Sequence, residues 1–352
     1  MSDARSRRRQ AGPLLLAPTT LALLGFALLA GGCGSEEGFP PPVEPATSPK
    51  PATEPAGRVI ELPGEAEGIA ADPQTGIVGV SVRDPDELLL FDDPLAPGKP
   101  QVTKVPVPES ARHMEIARPG GPLLTTAEYT DDLIEVSLPG GETKTVKVGD
   151  FPHAVTADPN SDRIFVGDEG GDTISVVEGD AVTQTLPAPE QPGGIAVAGG
   201  SLGTVAVAER VLQTWDAETL QPTGEVDAGV GPSHMVAGPD DRFYVADTGG
   251  DAILVFEPGP DPRLLDRANV PGSPYGIAVD DRRDMLWVTQ TARNRVVGFE
   301  LTDLAPKRVV SYPTVQQPNT VAVNSRTGVV YVAGRTPGEL QAIDTRTEQG
   351  DS

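Results

Sequence analysis

The sequence predicts an all-β protein, a seven-bladed β-propeller with four antiparallel strands in each blade. Three observations lead to this prediction: one phrase recurs along the chain, short runs of branched and aromatic residues alternate with turn residues, and no long helical period appears. With 40 Gly and 37 Pro, the chain has enough turn formers for a turn about every ten residues.

The repeated phrase is clearest in residues 165–180, FVGDEGGDTISVVEGD, and in residues 244–259, YVADTGGDAILVFEPG. Each repeat has an equivalent reference position, at intervals of about 40 to 46 residues, which falls at Glu67, His113, His153, Gly193, Ser233, Tyr275 and Asn319. Strand-like runs separated by turns follow each reference position. Four strands in about 40 residues make one blade, and seven blades packed radially bury one another's faces.

The two ends of the repeat region complement each other. The last repeat ends after ELQAIDTRT without a fourth strand, whereas residues 57–62, GRVIEL, precede the first blade and have no blade of their own. We therefore predict that an N-terminal strand completes the last blade and closes the ring. The propeller is expected to span residues 58–345 of a monomer, with a flexible tail at residues 346–352.

Residues 1–32 have the order of an export signal: arginines, an apolar run and small residues. The following LLAGGC resembles the lipobox of bacterial lipoproteins, which implies that Cys33 is acylated and becomes the first mature residue. The alternatives are an ordinary secretory signal with a leftover thiol, or a membrane span. The resemblance implies a lipid-anchored protein on the outer side of the cytoplasmic membrane, or in an outer membrane where one exists.

Residues 33–57 are expected to form a tether after the acylated cysteine. They are rich in Pro, Glu, Ser and Thr and offer almost nothing to bury. Loss of residues 1–32 removes four Arg and one Asp, so the formal charge changes from −24 to about −27. This acidic balance disfavours nucleic acid as a partner. The single cysteine excludes an internal disulfide, so the core alone must hold the fold.

In a propeller, the first strand of each blade lines the central channel and begins at the face where the second strand ends. Two sets of positions should therefore ring one mouth of the channel, and any chemistry is expected there. The first-strand positions at this mouth are Glu67, His113, His153, Ser233, His234, Tyr275 and Asn319. The second-strand positions are Arg83, Glu128, Asp168, Glu169, Asp247, Gln290 and Arg335. All three histidines of the chain fall in the first set.

Three segments resemble repeats of known propeller families. YVADTGGDAILVFE and FVGDEGGDTISVVE resemble the YVTN-type repeat, and SPYGIAVDDRRDMLWVTQTARNRVVGFE resembles repeats of the NHL and virginiamycin B lyase propellers. Lyases of the last group are metal-dependent and use His and Glu near such a mouth. The resemblance implies candidate metal-binding or catalytic roles for His113, Glu115, His153 and His234. Imidazoles with nearby carboxylates can hold zinc or another divalent ion such as magnesium. The alternative is that these histidines cap turns or fill the funnel.

The loops DEGGD and DTGGD could supply oxygen ligands to calcium, but Asp and Gly are also the residues that turns require. The six aromatic residues Phe165, Trp215, Phe243, Tyr244, Trp287 and Tyr331 are expected to pack between blades.

Three functions remain open. The leading one is non-catalytic: the rigid top face binds an extracytoplasmic protein, peptide or cell-envelope ligand. The second is a metal-dependent lyase or lactone-opening hydrolase, in which Glu128 or Asp168 assists the histidines. The third is an architectural role in an envelope complex. The globular region has no G-x-S-x-G, P-loop or dinucleotide fingerprint, which argues against a serine hydrolase or a Rossmann enzyme.

Overall fold

The structure is a computed structural model that describes residues 41–301 and 305–351. In these residues, 28 strands form seven antiparallel sheets of four strands each, which confirms the predicted fold class. The first strands of neighbouring sheets contact one another around the ring, so they line its centre. The predicted signal peptide and Cys33 lie outside the described residues.

The strands are assigned to blades in chain order. The first blade contains β2 (Glu65–Ala71), β3 (Val78–Arg83), β4 (Glu87–Phe91) and β5 (Val102–Pro106). The second contains β6 (Met114–Ile116), β7 (Leu123–Ala127), β8 (Asp132–Val136) and β9 (Thr143–Lys147). The third contains β10 (Pro152–Ala157), β11 (Arg163–Asp168), β12 (Thr173–Glu178) and β13 (Ala181–Pro187). The fourth contains β14 (Pro192–Ala198), β15 (Ser201–Ala206), β16 (Val211–Asp216) and β17 (Pro222–Asp227).

The remaining blades follow the same order. The fifth contains β18 (Pro232–Ala237), β19 (Phe243–Asp247), β20 (Ala252–Glu257) and β21 (Arg263–Asn269). The sixth contains β22 (Pro274–Asp280), β23 (Met285–Gln290), β24 (Arg295–Glu300) and β25 (Lys307–Pro313). The seventh contains β26 (Pro318–Asn324), β27 (Val329–Gly334), β28 (Glu339–Asp344) and β1 (Arg58–Glu61). Short 3-10 turns lie at Glu128–Thr130 and Thr291–Arg293, and no helix in the described residues has the length and apolarity to cross a membrane.

The core lies between neighbouring blades. Phe165 of the third blade and Trp215 of the fourth belong to one cluster, and each is at most 1% exposed. The prediction for the six aromatic residues is confirmed, because all of them are buried. Full burial of one such side chain contributes about 3 kcal/mol, so contacts between blades can hold the ring without disulfides.

A strand from the N-terminal side completes the seventh blade. Strand β1 pairs antiparallel with β28, so that Arg58 lies opposite Ala342 and Glu61 lies opposite Glu339. Ile60 packs against the apolar cluster that the seventh and first blades share. Backbone hydrogen bonds therefore join the two ends of the propeller in one sheet.

The C-terminal residues lie against the sixth blade. The Asp351 N–H donates to the Ser311 carbonyl at 2.9 Å, and the Arg295 guanidinium contacts the Asp351 carboxylate at 2.5 Å. The described part of the tail that the sequence predicts to be flexible, residues 346–351, is therefore anchored at its end.

Residues 43–56 form an extended segment that we call the N-terminal strap. It contains no strand or helix and crosses the top face, which we define as the face where the first strands begin. Val43 packs so closely on Gly231 that an added Cβ there would lie 2.3 Å from a Val43 methyl carbon. At the other end, the Ala56 N–H donates to the Pro313 carbonyl at 3.0 Å. This part of the expected tether is extended, but it packs on the head instead of leading away from it.

Candidate functional site

A β-bulge marks the start of the first strand in six blades. The strand register shifts at the reference positions Glu67, His153, Gly193, Ser233, Tyr275 and Asn319. A bulged residue is left unpaired, and the local bend changes the direction of its side chain. The positions that define the sequence repeat are therefore the positions where the backbone bends at the top face.

Three histidines from three blades meet at the top mouth of the channel. The ring centroids of His113 and His153 are 4.5 Å apart, and those of His113 and His234 are 4.6 Å apart. The ring centroid of Tyr275 is 4.4 Å from that of His234. The four side chains are partly buried, and we call them the mouth cluster. The histidines that the sequence placed at one mouth do lie together.

His153 has two carboxylate neighbours. Its Nδ1 lies 2.6 Å from Glu128 Oε1 and 4.0 Å from Glu169 Oε2. Burial alone would lower the pKa of His153, but Glu169 and Glu128 outweigh it and raise the pKa above its ordinary 6.5. Burial would raise the pKa of Glu128, but the hydrogen bond and charge of His153 lower it. An ion pair of protonated His153 and ionised Glu128 is therefore favoured.

The other two histidines are held neutral. Burial lowers the pKa of His234 to about 3, with smaller contributions from His153 and Arg112. Burial also lowers the pKa of His113 well below its ordinary value, and the neighbouring histidines add to this shift. Nδ1 of His234 is buried and has no hydrogen-bond partner among the described residues. A neutral imidazole with an unused nitrogen can bind a polar group of a ligand.

A second charged group lies on the side of the mouth formed by the first and seventh blades. The Glu67 carboxylate is 3.1 Å from the Arg83 guanidinium and 3.2 Å from that of Arg335. Burial raises the pKa of Glu67 by more than the two arginines lower it. The Glu67 side chain is 4% exposed, whereas those of Arg83 and Arg335 are 37% and 30% exposed. The Glu65 carboxylate lies 3.3 Å from Nε of Arg335, so two guanidinium groups face two carboxylates on this side of the mouth.

The N-terminal strap reaches the edge of the mouth. The Glu44 carboxylate is 3.9 Å from the guanidinium of Arg112, which directly precedes His113. Burial would lower the pKa of Arg112, but Tyr275, Glu44 and two further carboxylates raise it. Sequence reasoning missed both Arg112 and Glu44. The position of Arg112 beside His113 was an available signal, whereas nothing in the sequence places Glu44 at the head.

Glu115 lies two residues deeper along the channel than His113. Its Oε1 accepts hydrogen bonds from the Ala157 N–H at 3.0 Å and from the Thr156 hydroxyl at 3.3 Å. Burial raises the pKa of Glu115 to about 7, although both hydrogen bonds lower it. A cavity of about 110 Å³ is lined by Glu115 together with His113 and His234. Glu115 thus borders the space beneath the mouth cluster and is anchored to the third blade.

The mouth cluster does not present a converging set of metal ligands. The rings of His113 and His234 are stacked with planes 22° apart, so their in-plane nitrogen lone pairs do not point at one shared atom. Nδ1 of His153 is engaged by Glu128. In the described part of the chain, no group of three or more His, Cys, Asp or Glu side chains is arranged to hold a metal ion. As arranged, these residues do not fit the metal site that the family resemblance implies.

Three of the second-strand candidates are buried and bond to neighbouring strands or loops. Asp168, Asp247 and Gln290 are at most 3% exposed. Asp168 accepts a hydrogen bond from the Ser175 hydroxyl at 2.8 Å, and Gln290 donates to the Pro271 carbonyl at 2.9 Å. Asp247 accepts hydrogen bonds from three backbone N–H groups, those of Val230, Gly231 and Gly250.

Two first-strand candidates are engaged in the rim. The Ser233 hydroxyl lies 2.7 Å from that of Thr248, which in turn donates to the Pro274 carbonyl. The Asn319 Oδ1 accepts a hydrogen bond from Gln317 Nε2 at 3.0 Å. The Ser233–Thr248 pair thus connects the fifth and sixth blades, whereas the Asn319 contact stays within the seventh blade.

The repeated acidic loops behave as turns. The last aspartates of DEGGD and DTGGD, Asp172 and Asp251, adopt left-handed φ values of 51° and 52°. The Asp172 carboxylate accepts from the Gln191 N–H at 3.0 Å, and that of Asp251 accepts from the Gly272 and Ser273 N–H groups at 2.9 Å. Asp tolerates this conformation and bonds to nearby backbone, which accounts for its recurrence in these loops.

No family model matches the sequence, and no curated protein matches it. Solved structures do match. The chain is similar to the hydrazine synthase of Kuenenia stuttgartiensis, with a TM-score of 0.68 and 17% identity over 84% of this chain and 98% of that one. It is similar to virginiamycin B lyase of Staphylococcus aureus, with a TM-score of 0.65 and 14% identity over 82% of this chain and 99% of that one.

A chain of the mitotic checkpoint complex is also similar, with a TM-score of 0.70 and 11% identity over 85% of this chain and 97% of that one. The similarity to a virginiamycin B lyase propeller that the sequence suggested is thus found in the structure. At these identities the likeness shows the fold alone. A shared propeller does not fix an activity, since one fold carries many functions.

Proposed function

We propose that this protein is an exported, lipid-anchored propeller that binds an extracytoplasmic protein or peptide on its top face. The observation that carries the proposal is the N-terminal strap, an extended peptide that this face already holds beside the mouth cluster. The lipobox-like LLAGGC supports the anchor at Cys33. A rigid ring of blades supplies a fixed surface on which loops can recognise a partner.

The top face also presents apolar side chains around its polar mouth. Tyr129 is 81% exposed, and its ring centroid lies 5.5 Å from that of Phe151. Val230, in the loop that precedes β18, is 55% exposed. Exposed aromatic side chains near polar groups are typical of protein interfaces. This combination supports a protein or peptide partner over a purely ionic ligand.

Site-specific photocrosslinking tests the proposal. A photoreactive phenylalanine analogue replaces Tyr129 at the top face or, as a matched control, Glu218 in the hairpin between β16 and β17 at the opposite face. We expect a discrete crosslinked product in producing cells with the probe at position 129 and not at position 218. Crosslinking only from position 218, or equally from both positions, would contradict top-face binding.

A lyase or lactone hydrolase is the second candidate, and the His153–Glu128 pair favours it. Protonated His153 could donate a proton to a leaving group as a general acid. Similarity to propellers described as virginiamycin B lyase and streptogramin B lyase supports testing lactone substrates.

Turnover and metal content separate the two candidates. Full-length protein without an affinity tag is compared with the His153→Ala variant on cyclic peptide lactones and simple lactones. Turnover that His153→Ala abolishes, with or without a near-stoichiometric metal that is lost in parallel, would establish the enzyme. Absence of turnover together with a Tyr129 crosslink would leave the binding function.

A further inference from the structure

The top face recognises the N-terminal strap mainly through the strap backbone. The Ala46 N–H donates to the Ser273 hydroxyl oxygen at 3.0 Å. Gln317 makes two contacts: its Nε2 donates to the Ala46 carbonyl at 3.0 Å, and its Oε1 accepts from the Ser48 N–H at 2.8 Å. One amide side chain therefore binds a donor and an acceptor of an extended chain, as a neighbouring strand would do.

Further contacts extend this recognition to Pro49. The Asn294 Nδ2 donates to the Pro49 carbonyl at 2.7 Å, and the Gln316 Nε2 donates to the Ser48 carbonyl at 3.4 Å. Ser48 also binds through its side chain: it is 6% exposed, and its hydroxyl donates to the Thr291 carbonyl. We call the contacting residues the rim groove; they are Ser273, Thr291, Asn294, Gln316 and Gln317.

The rim groove is held in shape by contacts of its own. Ser273, Asn294 and Gln317 have left-handed φ values of 58°, 49° and 54°. The Gln317 N–H donates to Asn294 Oδ1 at 3.2 Å, and its Nε2 also donates to Asn319. Since these contacts do not involve the strap, the propeller itself positions the binding groups of the rim groove. Preorganised polar groups lower the cost of binding a peptide.

The strap sequence matches such a groove. Pro45, Pro49 and Pro51 favour the extended polyproline conformation, which leaves backbone carbonyls free to accept hydrogen bonds. Thr47 and Lys50 are exposed, so the groove does not constrain these side chains. The requirement is therefore an extended, proline-rich backbone with a small polar residue at the position of Ser48.

We infer that the rim groove is a binding site for an extended, proline-rich segment of a partner protein, and that the strap is its resident occupant. This inference rests on the proposed top-face function and names the class of partner. A covalently attached occupant has a high effective concentration, so a partner segment must compete with the strap. When the partner binds, Glu44 leaves Arg112 and the edge of the mouth is uncovered.

Peptide binding to a chain with an emptied groove tests the inference. In the host variant, residues 42–51 of the full chain are replaced one for one by Gly and Ser, which preserves length and strand β1. The probe is a fluorescein-labelled peptide of residues 41–56, PPVEPATSPKPATEPA. Fluorescence anisotropy should show binding to the host variant at least about tenfold tighter than to the parent, whose own strap occupies the groove.

Groove variants in the same host identify the site. Ser273→Ala removes one acceptor, and Gln317→Glu keeps the shape of the side chain but replaces its donor; each should weaken peptide binding about tenfold. Glu218→Gln, at the opposite face, should leave the affinity unchanged. A peptide with Gly in place of Pro45 and Pro49 should bind more weakly, because it loses preorganisation. Thermal unfolding of every variant confirms that it is folded.

If the Gly-Ser host does not fold, Ser48→Lys provides a second host, since a long charged side chain does not fit the buried site of Ser48. The inference is overturned if the peptide does not bind to a folded host. It is also overturned if the peptide binds to the Ser273→Ala and Gln317→Glu variants as tightly as to the host without these substitutions. If the peptide does not bind but the probe at position 129 still gives its crosslinked product, this inference alone is overturned. Failure of both would overturn top-face binding itself.

Discussion

Nδ1 of His153 lies 2.6 Å from Oε1 of Glu128, across the boundary between the third and second blades. The two residues come from a bulged first strand and from the turn after a second strand, which are the two elements that end at the top face. His113 and His234 stay neutral beside this pair. The mouth therefore combines one charged hydrogen bond with two neutral imidazoles, and their different protonation states make the site testable.

Glu128→Gln should destabilise the protein in a defined pH window. The raised pKa of His153 gives stability that is complete below its unfolded value of 6.5 and is lost as pH rises through the folded value. The lowered pKa of Glu128 gives stability that is present above 4.5 and is lost as pH falls through its folded value. The free energy of unfolding of the parent should exceed that of the variant by about 1–2 kcal/mol near pH 5.5, and by less above neutral pH. Urea unfolding at pH 5.5 and 9 measures both values; equal differences would argue against the pair.

Glu115→Gln should flatten the pH dependence of stability. A carboxyl group with a pKa raised to about 7 stays neutral in the fold as pH rises from 4.5 to about 7, whereas it ionises in the unfolded chain, so the folded state loses stability over this interval. Over this interval the free energy of unfolding of the parent should fall by about 1–3 kcal/mol more than that of the variant. Thermal unfolding from pH 4.5 to 8 tests this, with exposed Glu218→Gln as the control. Parallel curves for all three proteins would show that Glu115 ionises as it does in water.

Asp247→Ala should lower stability without changing the mouth cluster. The substitution removes the acceptor of three loop N–H groups and should cost about 2–4 kcal/mol in the free energy of unfolding. Chemical denaturation measures the loss, and the histidine NMR signals of the folded variant should stay in place. A loss below about 0.5 kcal/mol, or shifted histidine signals, would indicate that Asp247 belongs to the funnel lining.

Cys33→Ser should release the protein from membranes. An acyl chain attached to this cysteine would be the anchor, and serine cannot receive the thioether-linked lipid. Fractionation of producing cells should move the protein from the membrane pellet to the soluble extracytoplasmic fraction. Continued membrane association would indicate that residues 1–32 anchor the chain themselves.

Residues that repeat could be placed from the sequence, because a blade is a local unit of about 40 residues. The reference positions predicted the first strands, and six of them mark the bulges at the top face. His153 and Glu128 could be assigned to one mouth because both lie where a strand meets that face. Strand β1 could be predicted as the closing strand because the last repeat is one strand short.

Side-chain directions and non-repeating contacts could not be predicted in this way. Asp168 and Asp247 end their strands at the expected face, yet both are buried. Asp168 accepts from hydroxyls of β12, and Asp247 accepts from three N–H groups of the loops. The strap has one large apolar side chain, that of Val43, so its composition indicates a free tether. It is held by polar groups of Ser273, Asn294 and Gln317, which lie far from it in the sequence.

The central claim is that the three histidines of the chain form one coupled site at the mouth. Histidine Hε1 NMR signals test it directly, because the protein has only three histidines. We predict that one signal titrates above pH 6.5 and disappears in His153→Asn, while the other two stay neutral down to pH 5. Three independent titrations near pH 6.5, each unaffected by substitution of the other histidines, would contradict the account.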